Sequence, residues 1–454
     1  MKKNIILLSF FLLPLLGFAQ EKNSKFGISF SGYIKNDFFW DTRENVSIRE
    51  GHFLLYPLKV DKDANGKDVN AKANFNFLSI QTRGTIKITG PDVCKAKTSA
   101  LIEADFFGNE NAAFVDANGF RLRHAYVKLN WPSTELLLGQ YWHPMFIAND
   151  FPGVVSFNTG APFQAFSRNP QIRLTQMIGK KFSVMFTACS QRDFVSPGGS
   201  SVSLRNSGIP DLGLQFQFDS KNDSAGREFL IGIGGGYKFI TPRLTSDVSS
   251  ISTITPAYVI TDTLGVPHLI PAATKTTTTR YKVEEKMGGF YSVFFTKLKC
   301  KPITWKLYAA YGQNIYDLTM LGGYAVTNIK NVSTNQLEYT PFNTLAGWTE
   351  LMTNGKKIQF GLFGGYTQNM GTTKKIIDFS TTNRGADIKY VYRVSPRVVF
   401  ISGKFQFMTE LELTSAAYAS ADASGKLIRD DKGVITKTTP ATNLRVLFAV
   451  QYNF

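Results

Sequence analysis

The four histidines, His52, His124, His143 and His268, are scattered along the chain, and no pair has metal-ligand spacing. No G-x-S-x-G nucleophile turn is present. The run Gly232-Ile233-Gly234-Gly235-Gly236 imitates part of a dinucleotide loop. It lies in an alternating pattern with no helix after it, so it reads as glycines that bend a strand or let another approach. The stretch Asp61-Lys62-Asp63-Ala64-Asn65-Gly66 begins like a calcium loop, with Asp61, Asp63 and Asn65 as candidate ligands. Its twelfth position, which calls for a bidentate Glu, is Lys72, so metal binding is the lesser expectation beside turn formation. Its last four residues, Asp63-Ala64-Asn65-Gly66, recur at Asp116–Gly119, with a cousin at Asp422–Gly425. No catalytic residue, enzyme activity or cofactor is expected.

What chemistry remains is cationic. Lys and Arg number 51 against 34 acids, a net charge of +17. Arg83, Lys87, Arg121, Arg123, Arg168, Arg173, Arg393, Lys404 and Arg445, with Lys128 and Lys238, fall in or beside strand patterns. Guanidinium and ammonium groups around a narrow passage attract anions and raise their local concentration. The alternative is that they only keep an interior wet or meet lipid phosphates at a rim. Parity puts Arg445 and Lys404 on the polar face of their strands. Arg121 and Arg123 share parity with Ala125, Val127 and Leu129, so they sit at the strand's outer end or a bulge turns them inward.

The elements that must position these groups are strands. Residues 1–19 read as a secretory leader: Lys2 and Lys3, an apolar run from Ile5 to Phe18, and a small-residue exit at Ala19. That run, at about 14 residues, falls short of the ~20 a spanning helix needs. Losing the two lysines takes the charge from +17 to +15, and export makes nucleic acid an implausible cause of it. Period-2 patterns fill the rest. In FGISFSGYIKNDFFW, Phe26, Ile28, Phe30, Ile34, Phe38 and Trp40 share a face opposite Ser29, Ser31, Tyr33, Lys35 and Asp37. NFLSIQTRGTIKI sets Leu78, Ile80, Ile86 and Ile88 against Ser79, Gln81, Arg83 and Lys87, and VVFISGKFQF sets Val399, Ile401, Phe405 and Phe407 against Ser402, Lys404 and Gln406.

Connectors alternate between short (TGPDVCKAK, NWPSTE, IGKK, SKNDSAGRE, LKCKPIT, NGKK, VSPR) and long (near 41–74, 108–119, 143–170, 193–210, 242–279, 319–346, 371–385 and 419–441). That predicts sixteen strands with both termini on the short-turn side. The expected fold is all-β: a closed antiparallel transmembrane β-barrel with short periplasmic turns and long extracellular loops. All five tryptophans, Trp40, Trp131, Trp142, Trp305 and Trp348, fall near expected strand ends, as interfacial girdles require. The chain ends on NLRVLFAVQYNF, whose alternate apolar residues run to Phe454. A closing strand pairs with the first and need not fray. Cys94 and Cys300 fall in turns eight strands apart, too far for a bridge, so Cys94, Cys189 and Cys300 are all expected free.

The terminal Val450-Gln451-Tyr452-Asn453-Phe454 resembles the assembly signal of Gram-negative outer-membrane barrels. FRLRHAYVKLNWPSTELLLGQYWHPMF, 120–146, resembles the strand–turn–strand of porins of the DcaP-like and phosphate-selective type. The resemblance implies a cell outer-membrane location, a sixteen-stranded pore, a homotrimer, and partners that include lipid, lipopolysaccharide, small anionic solutes and the barrel-assembly machinery. A pore roughly 30 Å across before side chains needs a constriction. The Phe- and Pro-rich segment 143–171 is the candidate, with a surface interaction loop as its alternative. The resulting expectation is a leader at 1–19 and one barrel at 20–454, a porin passing small hydrophilic solutes with a preference for anions. The rivals are a substrate-specific outer-membrane transporter and a non-conducting structural or adhesion barrel.

Overall fold

A computed structural model of the chain describes residues 26–108, 119–191, 201–222, 225–379 and 383–454. The leader 1–19 and Asp116 lie outside the described residues. Sixteen antiparallel strands form the wall: β1 Gly27–Asp41, β2 in two pieces (Asn74–Leu78 and Arg83–Thr89), β3 Lys97–Asp105, β4 Arg121–Asn130, β5 Thr134–Trp142, β6 Arg168–Ile178, β7 Phe182–Cys189 and β8 Asp211–Asn222. They continue as β9 Arg227–Ile240, β10 Met287–Lys299, β11 Ile303–Gln313, β12 Gln336–Thr353, β13 Ile358–Thr372, β14 Ile388–Ser402, β15 Phe405–Ala419 and β16 Thr438–Asn453. Each pairs with its sequence neighbours, and β1 also pairs with β16 from Tyr33↔Asn453 to Asp41↔Arg445, which closes the barrel. Closure reaches the last residue: Phe454 N–H donates to Gly32 O at 3.1 Å, and Gly32 N–H donates back at 3.2 Å.

Apolar side chains face outward all round. Phe30, Trp40, Phe216, Phe400, Phe448 and Tyr452 are exposed, while Lys35, Asp37, Arg445 and Ala449, at the alternate positions, are buried inside. An aliphatic and aromatic surface of this extent fits hydrocarbon, not water.

Several expectations need correction. The segment VVFISGKFQF is not one strand. β14 ends at Ser402, Gly403-Lys404 makes the turn, and β15 starts at Phe405, so Lys404 is an exposed turn residue outside the lumen. Gly403 has φ 59°, which a tight hairpin turn requires. The expected connector VSPR lies inside β14, where Pro396 pairs with Leu362 and presents no inward polar group. Val399 therefore faces inward and is 9% exposed. The break in β2 re-phases that strand: Phe75 and Phe77 face out, while Ile80, beyond the first piece, turns in. Trp142 and Trp348 belong to no girdle; both point inside and pack on segment 143–167. The three cysteines are free.

Candidate functional site

Segment 143–167 leaves β5 and runs along the inner wall. Its Met145, Phe146, Phe157, Phe163 and Phe166 are at most 4% exposed and share one core with the inward Tyr291, Phe295, Tyr308, Trp348 and Phe363. Its backbone polar groups, which would otherwise be orphaned, are satisfied by charged wall side chains. Glu350 accepts Gly153 N–H with both oxygens, at 2.9 and 3.0 Å. Glu410 accepts Val155 N–H at 2.6 Å and Ser156 N–H at 3.3 Å, and Glu412 accepts Asn158 Nδ2–H at 2.7 Å. From the other sign, Lys35, Lys297 and Lys306 donate to the carbonyls of Val155, Asn149 and Phe151 at 2.7, 2.7 and 2.8 Å. The fastening spans β1, β10, β11, β12 and β15.

A second inward element was not anticipated. Asn45–Ile48 and Phe53–Pro57 pair as a small hairpin inside the barrel. Arg393 donates to Leu54 O and Leu55 O at 3.3 and 3.0 Å, and Tyr418 Oη donates to Pro57 O at 2.7 Å. From the far side, Thr319 Oγ1 donates to Phe166 O at 2.8 Å, so the connector after β11 also reaches the inner segment.

The expected basic residues divide into two groups. Arg393 and Arg445 do face inward, but each is 1% exposed and already engaged. Arg445 Nη2 lies 2.6 Å from Asp41, and Arg393 Nη1 lies 3.7 Å from Glu412 and 3.1 Å from Ala161 O. As anion-selecting groups they are corrected to struts: a fully enclosed, paired guanidinium has no face left for a solute. Lys238 is likewise buried, against Asp317.

The other group clusters on the wall of β2, β3, β4 and β6. The Arg121 and Arg123 alternatives resolve as a bulge. Glu103 pairs with His124 and Ala104 with Leu122, so Arg123 is the extra residue, and the strand flips both arginines inward. Arg123 reaches Glu103 at 2.7 Å and Asp105 at 2.8 Å, and Arg121 reaches Asp105 at 2.9 Å. Arg83 stands 3.7 Å from Glu103 and over the Tyr33 ring at 5.2 Å. Arg168 stacks over Trp142 at 5.0 Å, on the indole that Arg123 also approaches at 5.8 Å. Four guanidiniums thus gather on this wall with the carboxylates of Glu103 and Asp105 among the described residues. Arg83, Arg123 and Glu103 line a cavity of about 250 Å³ against segment 143–167. A neighbouring cavity of about 300 Å³ holds Arg173, stacked over Tyr141 at 4.9 Å, and the Lys128–Glu135 pair at 2.9 Å. Lys87 keeps the inward parity of Arg83 and is exposed near the short-turn end.

No family model matches the chain, and no curated protein matches it either. Solved structures do. The outer-membrane channel DcaP of Acinetobacter baumannii superposes with a TM-score of 0.60 at 15% identity, over 96% of this chain and 99% of that one. The fold is that of an outer-membrane porin of the DcaP type. A trimer form of OmpT, an outer-membrane protein of Vibrio cholerae, superposes with a TM-score of 0.50 at 8% identity, over 94% of this chain and 99% of that one.

Within this porin fold, the charged fasteners Glu350, Glu410, Glu412, Lys35, Lys297 and Lys306 were missed from sequence. Thr409-Glu410-Leu411-Glu412-Leu413 carried a signal, since its acids alternate with outward leucines. The candidate ligands Asp61, Asp63 and Asn65 lie in an exposed turn, where Asp63 Oδ1 accepts the N–H groups of Asn65 and Lys67 at 2.8 Å each. Asp422 does the same for Ser424 and Lys426 at 2.9 and 3.0 Å. Turn closure accounts for both carboxylates.

Proposed function

We propose that this chain is a porin of a Gram-negative outer membrane that passes small hydrophilic solutes by diffusion and favours anions. One observation carries the preference: Arg83 and Arg173, guanidiniums that keep some exposure, line two cavities on one stretch of inner wall. In a passage walled by low-dielectric protein, guanidiniums that reach such cavities set the sign of the field. Segment 143–167 serves as the constriction, because it occupies the lumen beside that cluster. No bond is made or broken, and no energy is coupled. The leader directs export and is cut after Ala19. Phe454, held in the closing ladder with its ring half-exposed, is the assembly signal. The partners are outer-membrane lipid and lipopolysaccharide, the assembly machinery, and two further copies in a homotrimer, as in the trimer form of OmpT.

Liposome swelling tests this reading. Proteoliposomes should admit a small organic anion several times faster than a cation of equal size. Equal rates, or a faster cation, would overturn the preference; no swelling with any solute would overturn the porin reading. A second reading, a gated or substrate-specific channel, is favoured by the inward hairpin, because Phe53, Leu54 and Leu55 occupy lumen that an open pore would leave to water.

A further inference from the structure

The hairpin 45–57 is fastened unlike an ordinary loop. Its carbonyls at Gly51, Leu54, Leu55 and Pro57 accept hydrogen bonds from Arg445, Arg393 and Tyr418, wall donors of residue types that ordinarily titrate well above the physiological range. One fastener titrates there. His52 Nε2 lies 3.0 Å from Asp37 Oδ2 on β1, and the ring is 2% exposed among Phe39, Phe107 and Phe157. A carboxylate only accepts, so Nε2–H donates and Nδ1 carries the lone pair. Nδ1 has no hydrogen-bond partner, so a second proton would bury an N–H with no acceptor.

We infer that the hairpin is a plug released by acid: a proton on His52 undocks residues 45–57 and opens the outer half of the lumen. This rests on the reading of the barrel as a channel.

The charges facing His52 support the direction. Asp37 and Lys35 face it from β1, and Lys35 pairs with Asp37 at 2.9 Å. Arg445 faces it from β16 and is neutralised by Asp41. Its own hairpin adds Arg49, over the Phe107 ring at 5.5 Å. The inner segment presents the uncharged Phe157. Two cations from the wall already meet two carboxylates, so an imidazolium would be a surplus charge in an aromatic enclosure. Burial accordingly pushes His52 below its ordinary 6.5. The docked state therefore prefers the neutral ring, whereas a released His52 takes up a proton as pH falls through 6.5. Docking is at full strength above that pH and weakens below it. By pH 5 the ratio of docked to released hairpin falls by up to about thirtyfold.

The test is hydrogen exchange of residues 45–57 in the full-length assembled barrel at pH 7.5 and pH 5, each corrected for its intrinsic rate. Protection should fall ten- to thirtyfold on acidification in the wild type and hold constant in His52→Gln. Tyr418→Phe, which removes the bond to Pro57, should lower protection equally at both pH values. Equal wild-type protection at both pH values, or the same acid loss in His52→Gln, overturns the inference. Should His52→Gln fail to assemble, the wild-type titration decides: a one-proton transition below pH 6.5 supports the latch and a flat profile refutes it. In planar bilayers the open probability should rise with acid. Silence at every pH would count against the porin reading, which the exchange readout does not share.

Discussion

Glu350 is the hub that fastens segment 143–167, so its replacement by Gln should loosen that segment selectively. In the wild type its carboxylate is 0% exposed, accepts Gly153 N–H with both oxygens, and faces Arg397 at 2.6 Å and Lys306 at 3.2 Å. An amide keeps the shape but replaces one acceptor oxygen with an NH2. Wherever that NH2 points, it meets the Gly153 donor or the Arg397 donor. With the NH2 on the Arg397 side, Arg397 loses its 2.6 Å partner and keeps a 3.8 Å contact to Met352 Sδ and the field of Glu410. Breaking one side of a buried pair costs roughly 3–5 kcal/mol. Taking ~3 kcal/mol, the released population of residues 150–158 rises about a hundredfold. Hydrogen exchange should show that loss of protection in 150–158, while β1 and β16 exchange as before. Mean conductance in bilayers should rise as the constriction opens. Unchanged protection of 150–158 in an assembled Glu350→Gln barrel would refute the claim that wall charges hold the segment in place.

Three further outcomes follow from particular residues. Neither carboxylate oxygen of Asp150 has a hydrogen-bond partner, and burial pushes the group from 3.8 up to about 7, with Lys306 and Lys297 opposing. A carboxyl raised in the folded state weakens folding as pH climbs through that range, by about 4 kcal/mol once fully ionised. Asp150→Asn should therefore raise the temperature at which the compact band is lost on gels at pH 8 and leave it nearly unchanged at pH 4; equal shifts at both would contradict this. A maleimide should label exposed Cys94 quickly and buried Cys189 only after denaturation, with identical mobility with and without reductant. Deleting Phe454 should cut assembled yield several-fold in cells while leaving the strand pairing of purified protein intact, since the missing residue contributes only the terminal Gly32 pair.

Legibility followed the physics of each feature. Strand parity is local, so the outward faces of β1 and β16 and the even strand count could be read from alternation and connector length. Parity fails where the backbone breaks it. The bulge at Arg123 and the interruption after Leu78 each shift the phase by one, and no composition rule marks them. Lys404 went astray because a two-residue turn with Gly403 fits within an unbroken alternation. The inner hairpin was detectable, because Phe53-Leu54-Leu55-Tyr56 is an apolar run in an otherwise polar connector, the same oddity that marked 143–171. The ion pairs were not legible. Arg445 meets Asp41 across 404 positions, and Glu410 meets Val155 across 255, so only the closed barrel brings them together. That pairing is why Arg393, Arg445 and Lys238 are structural, and why the proposed preference rests on the wall around Arg83.

The most direct test of the account is the reversal potential of purified protein in a planar bilayer under a KCl gradient. The wild type should conduct in discrete steps with a reversal potential of the sign set by chloride. Arg83→Glu, which puts a negative charge where the cavity wall has a positive one, should bring it closer to zero. A wild-type potential of the potassium sign, or an anion preference untouched by Arg83→Glu, would contradict the assignment of selectivity to that wall.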